Sequence, residues 1–297
     1  MQLKKLEMRN TFINELVERA RLDESIILIV GDLGFNVVEP FQNEFPNRFI
    51  NAGISEQSMA SMAAGLASEG FKVFIYSIAN FPTFRCAEQI RNDICYHNLD
   101  VTIVSVGGGL AYGNLGYSHH AIQDYGLMRL FPEISIISPG DPNEVVRCMD
   151  FIFRDKYPKY LRLRKAGEEK ISNYNNGIIP GKWQPIIINN PNKILLSTGY
   201  GLKIAKDLIK SKKYIDFSIY SCPIWGIKYS NDQKNNQEQF DEIVTVEDHL
   251  ISGGFGSWLV ENISDKEQRS KITSIYIDNE VIGKVGSEEY LLNKTIK

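Results

Sequence analysis

Asn51-Ala52-Gly53-Ile54-Ser55-Glu56-Gln57, running into Ser58-Met59-Ala60-Ser61-Met62-Ala63-Ala64-Gly65-Leu66-Ala67, is the stretch on which the fold reading turns. It follows the strand-like Arg48-Phe49-Ile50 and opens a helix of small residues. One carboxylate, Glu56, stands at the mouth of that helix. A glutamate there gains a few tenths to about 1 kcal/mol from the helix dipole alone, so position by itself assigns it no chemistry. The same place also lets a carboxylate be held in one geometry beside a flat ring, and the rest of the chain decides between the two.

Outward from this turn, residues up to about Lys165 alternate short aliphatic runs with helical patterns. Strands are expected at Ile26-Val30, Lys72-Ile75, Val101-Val106, Ile134-Ile137 and Tyr160-Leu163. Helices are expected near Met8-Arg21, Glu56-Ser68, Phe81-Tyr96, Ile122-Leu130 and Pro142-Phe153. The last has a clear start: Asp141 as N-cap, Pro142 in the first turn and Glu144 three residues after the cap. Such alternation predicts an α/β fold, a mostly parallel sheet covered on both faces. Residues 166–192, with Asn173-Tyr174-Asn175-Asn176-Gly177, read as a linker with one short strand. From Lys193 the alternation resumes with Ile194-Ser197, a helix from Leu202, Phe217-Tyr220, Ile243-Val246, a helix after Gly254 and Ile272-Ile277. The expected organisation is therefore two α/β domains, residues 1–165 and 193–297, joined by the linker.

The composition narrows the function classes. Hydrophobic residues make up 43% and charged residues 23% of 297, ordinary values for a globular chain able to bury a core. Thirty-three Lys plus Arg against 36 Asp plus Glu leave a net charge of -3, with no basic block that would suggest nucleic acid. Cys86, Cys95, Cys148 and Cys222 form no C-x-x-C pair, and His97, His119, His120 and His249 are too few for a cysteine–histidine zinc site. Met1-Gln2-Leu3-Lys4-Lys5-Leu6-Glu7 lacks the apolar run of a secretory signal, and Ile26 to Val30 is too short to span a bilayer. A reduced, cytoplasmic protein without a membrane anchor is the expectation.

Four segments follow strands, at the edge where open α/β sheets bind ligands. They are Gly31-Asp32-Leu33-Gly34, Ile54-Ser55-Glu56-Gln57, Ser77-Ile78-Ala79-Asn80-Phe81, and Gly107-Gly108-Gly109 onward to His119-His120. In this order they resemble the transketolase family, and more narrowly its C-terminal half as encoded separately in split systems. The resemblance covers nearly the whole chain. It rests on G-I-S-E-Q with its alanine-rich helix, Glu88-Gln89-Ile90-Arg91-Asn92, the Gly109–His120 loop and Pro132 to Glu144. Val246-Glu247-Asp248-His249 followed by Gly253-Gly254-Phe255-Gly256-Ser257 adds the family's E-[ED]-H…GG-x-GS pattern.

The resemblance implies thiamine diphosphate as cofactor and transfer of a two-carbon ketol unit from a ketose to an aldehyde acceptor. It implies that Glu56 hydrogen-bonds the aminopyrimidine ring nitrogen and favours the imino tautomer that takes the thiazolium proton. Phe81 falls where the family stacks an aromatic ring on that pyrimidine, and Asp32, Leu33 and Ile54 align with residues lining the same pocket. His119 matches the histidine that contacts the donor's oxygen. His120 stands where Gln is usual, and Arg164 aligns with an arginine that contacts substrate phosphate.

The chain also departs from the family. Gly107 replaces a histidine, Ser138 an arginine, and Asn114-Leu115 a Glu-Asp pair that reads the donor sugar. A modified, unphosphorylated or nucleotide-linked sugar is therefore the expected substrate class. Gly31-Asp32-Leu33-Gly34 is not the family's G-D-G…N motif for diphosphate and metal. Magnesium or calcium is thus expected mainly on a second, N-terminal-type subunit, in a heterotetramer, and no metal ligand is assigned to this chain. The beta subunit of a 2-oxo acid dehydrogenase is the alternative enzyme, a deoxyxylulose phosphate synthase relative is a weaker one, and a non-catalytic scaffold of the same fold is the alternative outside enzymes.

Overall fold

The computed structural model describes residues 7–173 and 177–297, apart from the side chains of 234 and 235. Residues 1–6, read above for a leader, and the Tyr174-Asn175-Asn176 part of the Asn-rich stretch lie outside the described residues. In chain order the strands are β1 (Ile26–Val30), β2 (Phe49–Asn51), β3 (Lys72–Ile78), β4 (Val101–Val106), β5 (Ser135–Ile137) and β6 (Lys159–Leu163). They continue as β7 (Gln184–Ile187), β8 (Lys193–Ser197), β9 (Ser218–Ser221), β10 (Ile224–Trp225), β11 (Glu242–Leu250) and β12 (Ile272–Ile277).

Two mostly parallel sheets result. The first has the order β10-β5-β6-β4-β3-β1-β2 and the second β12-β11-β8-β9-β7. Among the described residues only β10 and β7, both edge strands, run antiparallel to their neighbours. The β1 run Ile-Ile-Leu-Ile-Val is buried on both faces, which is what a central strand between two helical layers requires. The helix Glu56–Ser68 lays Met59, Ala60, Ala63, Ala64 and Ala67 against Ile27, Ile29, Val73 and Ile75. Alanine there lets the helix approach the sheet closely, which brings Glu56 to its edge.

Two elements differ from the sequence expectation. The Phe81–Tyr96 helix is broken into Phe81–Phe84, Ala87–Gln89 and a π-helical turn, Ile90–Cys95. Cys86 leaves helical geometry at φ -122°, ψ 26°, and Tyr96 N donates five residues back to Arg91 O at 3.1 Å. The Ile122–Leu130 helix shortens to Asp124–Met128. Its expected first residue is engaged elsewhere: Ile122 O accepts from Leu250 N at 3.1 Å.

β10 was not expected at all. It comes from the later part of the chain yet closes the first sheet beside β5, so the two halves share structure through Trp225. Trp225 packs against Tyr125, Phe255 and Trp258, which joins the cores of both sheets. Asp141 caps the helix Pro142–Arg154 as expected, its Oδ1 accepting from Glu144 N at 2.8 Å. Its Oδ2 accepts from Ile171 N and Ser172 N, both at 2.6 Å, pinning the chain after β6 to the start of that helix. Among the described residues no helix is long and apolar enough to cross a membrane.

Candidate functional site

Because β1, β2, β3, β4 and β6 are parallel, their carboxyl ends share one edge. β1 leads to β2 on one side while β3 pairs on its other side, so the crevice for a ligand falls at β1 and β3. The ladder extends past the strands through Gly31 N to Tyr76 O, Ala52 N to Val30 O and Ala79 N to Val106 O. These bonds set the loops carrying Asp32, Glu56, Phe81 and His119 along that edge.

Asn51 organises the first two loops. Its Oδ1 accepts from Asp32 N (3.1 Å) and Gly53 N (2.9 Å), and its Nδ2 donates to Asp32 Oδ1 (3.0 Å). Asp32 is held at φ 54° and Gly53 at φ 70°, conformations that need such support or a glycine. Glu56 then begins its helix with only 4% of its surface exposed, whereas Ile54 is 75% exposed. The cleft here measures about 430 Å³ and is lined by Ile54, Ser55, Glu56, Gln57, Ser58 and Arg85. Asp32 is exposed in the loop after β1, and Leu33 is half-buried against the core beneath.

A buried carboxylate needs a partner. Arg85 is that partner: its Nη1 donates to both Glu56 oxygens at 3.0 Å. The same guanidinium lies over the Phe81 ring, 4.2 Å from the centroid. His119 meets Phe81 edge to face at 5.3 Å, and Tyr112 stands 6.2 Å from the imidazole. Its Nδ1 is 2.9 Å from Ser118 Oγ. Burial pushes the His119 pKa below its ordinary value, and the neighbouring His120 and Arg85 add to this. Asn80 fastens the loop by donating to Ser118 O (3.0 Å) and His120 O (3.1 Å). His120 itself lies beneath the loop, 2% exposed, with Nε2 3.2 Å from Gly113 O and Nδ1 without a hydrogen-bond partner.

The departures from the family have visible consequences. Gly107 sits at φ 85°, and a Cβ there would lie 2.0 Å from Cε2 of Tyr112. Tyr112 thus fills the space of a side chain at 107. Lys165 Nζ lies 4.8 Å from the centre of the Tyr112 ring, and the charge of Arg9 acts on Tyr76 and Tyr112. Arg9 Nε is buried and without a hydrogen-bond partner. Arg164 is engaged elsewhere: it pairs with both oxygens of Glu288 and stacks on Tyr200, 3.4 Å from the centroid. Ser138 is buried and bonds the Tyr125 hydroxyl. Asn114 and Leu115 are exposed in a 3-10 turn.

The E-D-H motif of β11 works by packing. Glu247 accepts from Phe255 N (2.6 Å) and Gly256 N (2.9 Å), capping the helix Phe255–Glu261. A Cβ on Gly254 would come within 2.2 Å of its Oε2. Asp248 pairs with Arg162, which also binds Asp124 and Ala121 O (2.7 Å) and so ties the His119 loop to the second sheet. Burial pushes Glu247 up to about 8 and His249 down to about 4.

Glu56 and Ile54 therefore line one cleft with Arg85. Arg85 links Glu56 to Phe81 and through it to His119, while His120 lies beneath the loop and Arg164 is held by Glu288. Asn51, Arg85, Tyr112 and Arg9 escaped sequence reasoning. Of these only Arg85 left a signal, its four-residue helical spacing from Phe81. A buried carboxylate facing an aromatic face suits a flat nitrogen heterocycle, so the donor set fits the pyrimidine half of thiamine diphosphate. Among the described residues no group of three or more His, Cys, Asp or Glu could hold a metal ion.

The family described as "Transketolase, pyrimidine binding domain" matches residues 4–167. One subunit of an apulose-4-phosphate transketolase from Actinobacillus succinogenes is 31% identical, over 87% of this chain and 84% of that protein. The subunit of the same name from Phocaeicola vulgatus is 30% identical, over 93% and 89%. Among solved structures, one described as a split gene transketolase, inactive beta4 tetramer, aligns with a TM-score of 0.80 at 25% identity. It covers 97% of this chain and 93% of that one.

Proposed function

Because the chain belongs to the transketolase family of pyrimidine-binding domains, we propose that it is the C-terminal subunit of a split, thiamine-diphosphate-dependent ketol transferase. The observation that carries the reading is the contact chain that starts at Glu56 in the cleft and runs through Arg85 to Phe81 and His119. Glu56 takes the pyrimidine ring nitrogen, Phe81 presents its face to the ring, and Asp32, Leu33 and Ile54 line the approach. When bound, the cofactor supplies a nucleophilic carbon and an electron sink for cleaving and forming carbon–carbon bonds.

His119 handles the proton at the donor's oxygen. Its partial burial favours the neutral imidazole, which can accept a proton there. His120 supports the loop, and its backbone carbonyl is what Asn80 grips. Arg164 reaches substrate only when Glu288 yields. With Gly107 and Tyr112, this favours a donor other than an ordinary pentose or hexose phosphate.

The diphosphate and its magnesium or calcium are held by a second, N-terminal-type subunit, in an assembly of two copies of each chain. Two observations support a second subunit: the relatives are themselves named as single subunits of a transketolase, and the split-gene structure, a tetramer of beta chains alone, is described as inactive. Four buried, unpaired cysteines suit a reducing cytoplasm.

The test is to isolate the tagged chain with its native partner and assay ketol transfer over a panel of ketoses, apulose 4-phosphate included. We expect Glu56→Gln to lower turnover at least about a hundredfold. Unchanged turnover would leave the scaffold reading; decarboxylation of pyruvate or a branched 2-oxo acid would favour the other enzyme classes. Transfer from xylulose 5-phosphate to ribose 5-phosphate at ordinary transketolase rates would sink the substrate proposal.

A further inference from the structure

The two side chains assigned above to the pyrimidine ring are already engaged by one other group. Arg85 donates from Nη1 to both oxygens of Glu56 at 3.0 Å, and its guanidinium carbon lies 4.2 Å from the centre of the Phe81 ring. A guanidinium is flat, carries N–H donors in its plane and presents a π-face. Those are the features by which a carboxylate and an aromatic ring recognise an aminopyrimidine. We propose that Arg85 stands in for the aminopyrimidine ring in the cofactor-free subunit. In that role it holds Glu56 and Phe81 in place and leaves when the ring arrives.

The proposal rests on the cofactor reading of Glu56 and Phe81. Burial explains which partner moves. Glu56 is 4% exposed and rooted in the helix Glu56–Ser68, while the Arg85 side chain is 49% exposed. Arg85 also sits where the chain leaves helical geometry, directly before Cys86. Its ion pair is partly screened by water, so it can be exchanged for a ligand that fills the cleft. Until then it spares Glu56 from being a buried carboxylate without a donor. Arg85 is in this sense a positioning residue, acting through Glu56 and Phe81.

Thiamine, which carries the aminopyrimidine without the diphosphate, is the probe. Its affinity for the full-length chain is measured by saturation-transfer NMR and equilibrium dialysis. Arg85→Met keeps the stem and removes the flat cation; we expect thiamine to bind about tenfold tighter, because the competent state is no longer masked. Arg85→Lys keeps the charge without the plane and should recover only part of that gain. Equal or weaker binding by Arg85→Met, including no detectable binding by either protein, overturns the proposal. If Arg85→Met fails while Glu56→Gln still weakens thiamine, the stand-in is wrong and the cofactor reading survives. If Glu56→Gln and Phe81→Ala leave affinity unchanged with either residue at 85, the cofactor reading itself falls.

Discussion

Arg162 of β6 donates from Nη1 to Asp248 Oδ1 of β11 at 2.6 Å, one buried ion pair joining the two sheets. The same guanidinium bonds Asp124 Oδ2 (2.7 Å) and Ala121 O (2.7 Å), so strand, site loop and second sheet converge on one cation. Removing one partner of such a pair leaves charge buried and underpaired. Asp248→Ala should lower the unfolding free energy by about 3–5 kcal/mol. Urea denaturation checks this, and a loss within about 0.5 kcal/mol, as at an ordinary surface position, would contradict it.

Stability should depend on pH through the neighbouring pair in the same motif. Burial raises Glu247 to about 8 in the folded chain, above its ordinary value. The folded state then holds a proton that the unfolded state has released, so stability falls as pH rises toward 8, by at most about 1.4 kcal/mol per unit. Burial lowers His249 to about 4, so below its ordinary 6.5 the unfolded state gains a proton that the folded state refuses. That term lowers stability as pH falls and opposes the Glu247 term. The decline between pH 6.5 and 8 should therefore be clean in denaturation curves and should flatten in Glu247→Gln. A variant with the wild-type slope would refute the assignment.

Gly107 and Tyr112 should be exchangeable only together. Gly107→His places a Cβ against the Tyr112 ring and a side chain at φ 85°. Overpacking of this kind costs about 1–3 kcal/mol, before the cost of a left-handed backbone. Thermal unfolding should show a drop in Tm for Gly107→His that is partly restored by adding Tyr112→Gly. Additive losses in the double variant would mean that the ring does not hold that space.

The general plan was legible because it is written locally. β1 announces itself as five consecutive aliphatic residues, the helix Glu56–Ser68 as a run of small residues, and the helix from Pro142 by its Asp141 cap. The break at Cys86 and the π-turn after it were hidden inside an unbroken helical pattern. β10 was hidden for another reason: two residues have no period, and their partner strand lies far back in the chain. Motif order singled out Glu56, Phe81 and His119, and the structure brings Phe81 and His119 into contact. The pairing of Arg164 with Glu288 was not legible, because Glu288 lies 124 residues away.

The sequence by itself determined two α/β layers, the edge at which the loops gather, and which carboxylate stands at the helix mouth. Alternating periodicity and capping are properties of neighbouring residues, so they survive in one dimension. Only the tertiary structure decided who touches Glu56, what fills the space at Gly107, and how Arg162 ties the second sheet to the His119 loop. Arg85 is 29 residues from Glu56, and Asp248 is 86 from Arg162. Pairings over such distances follow from the register and stacking of strands, which no local pattern encodes.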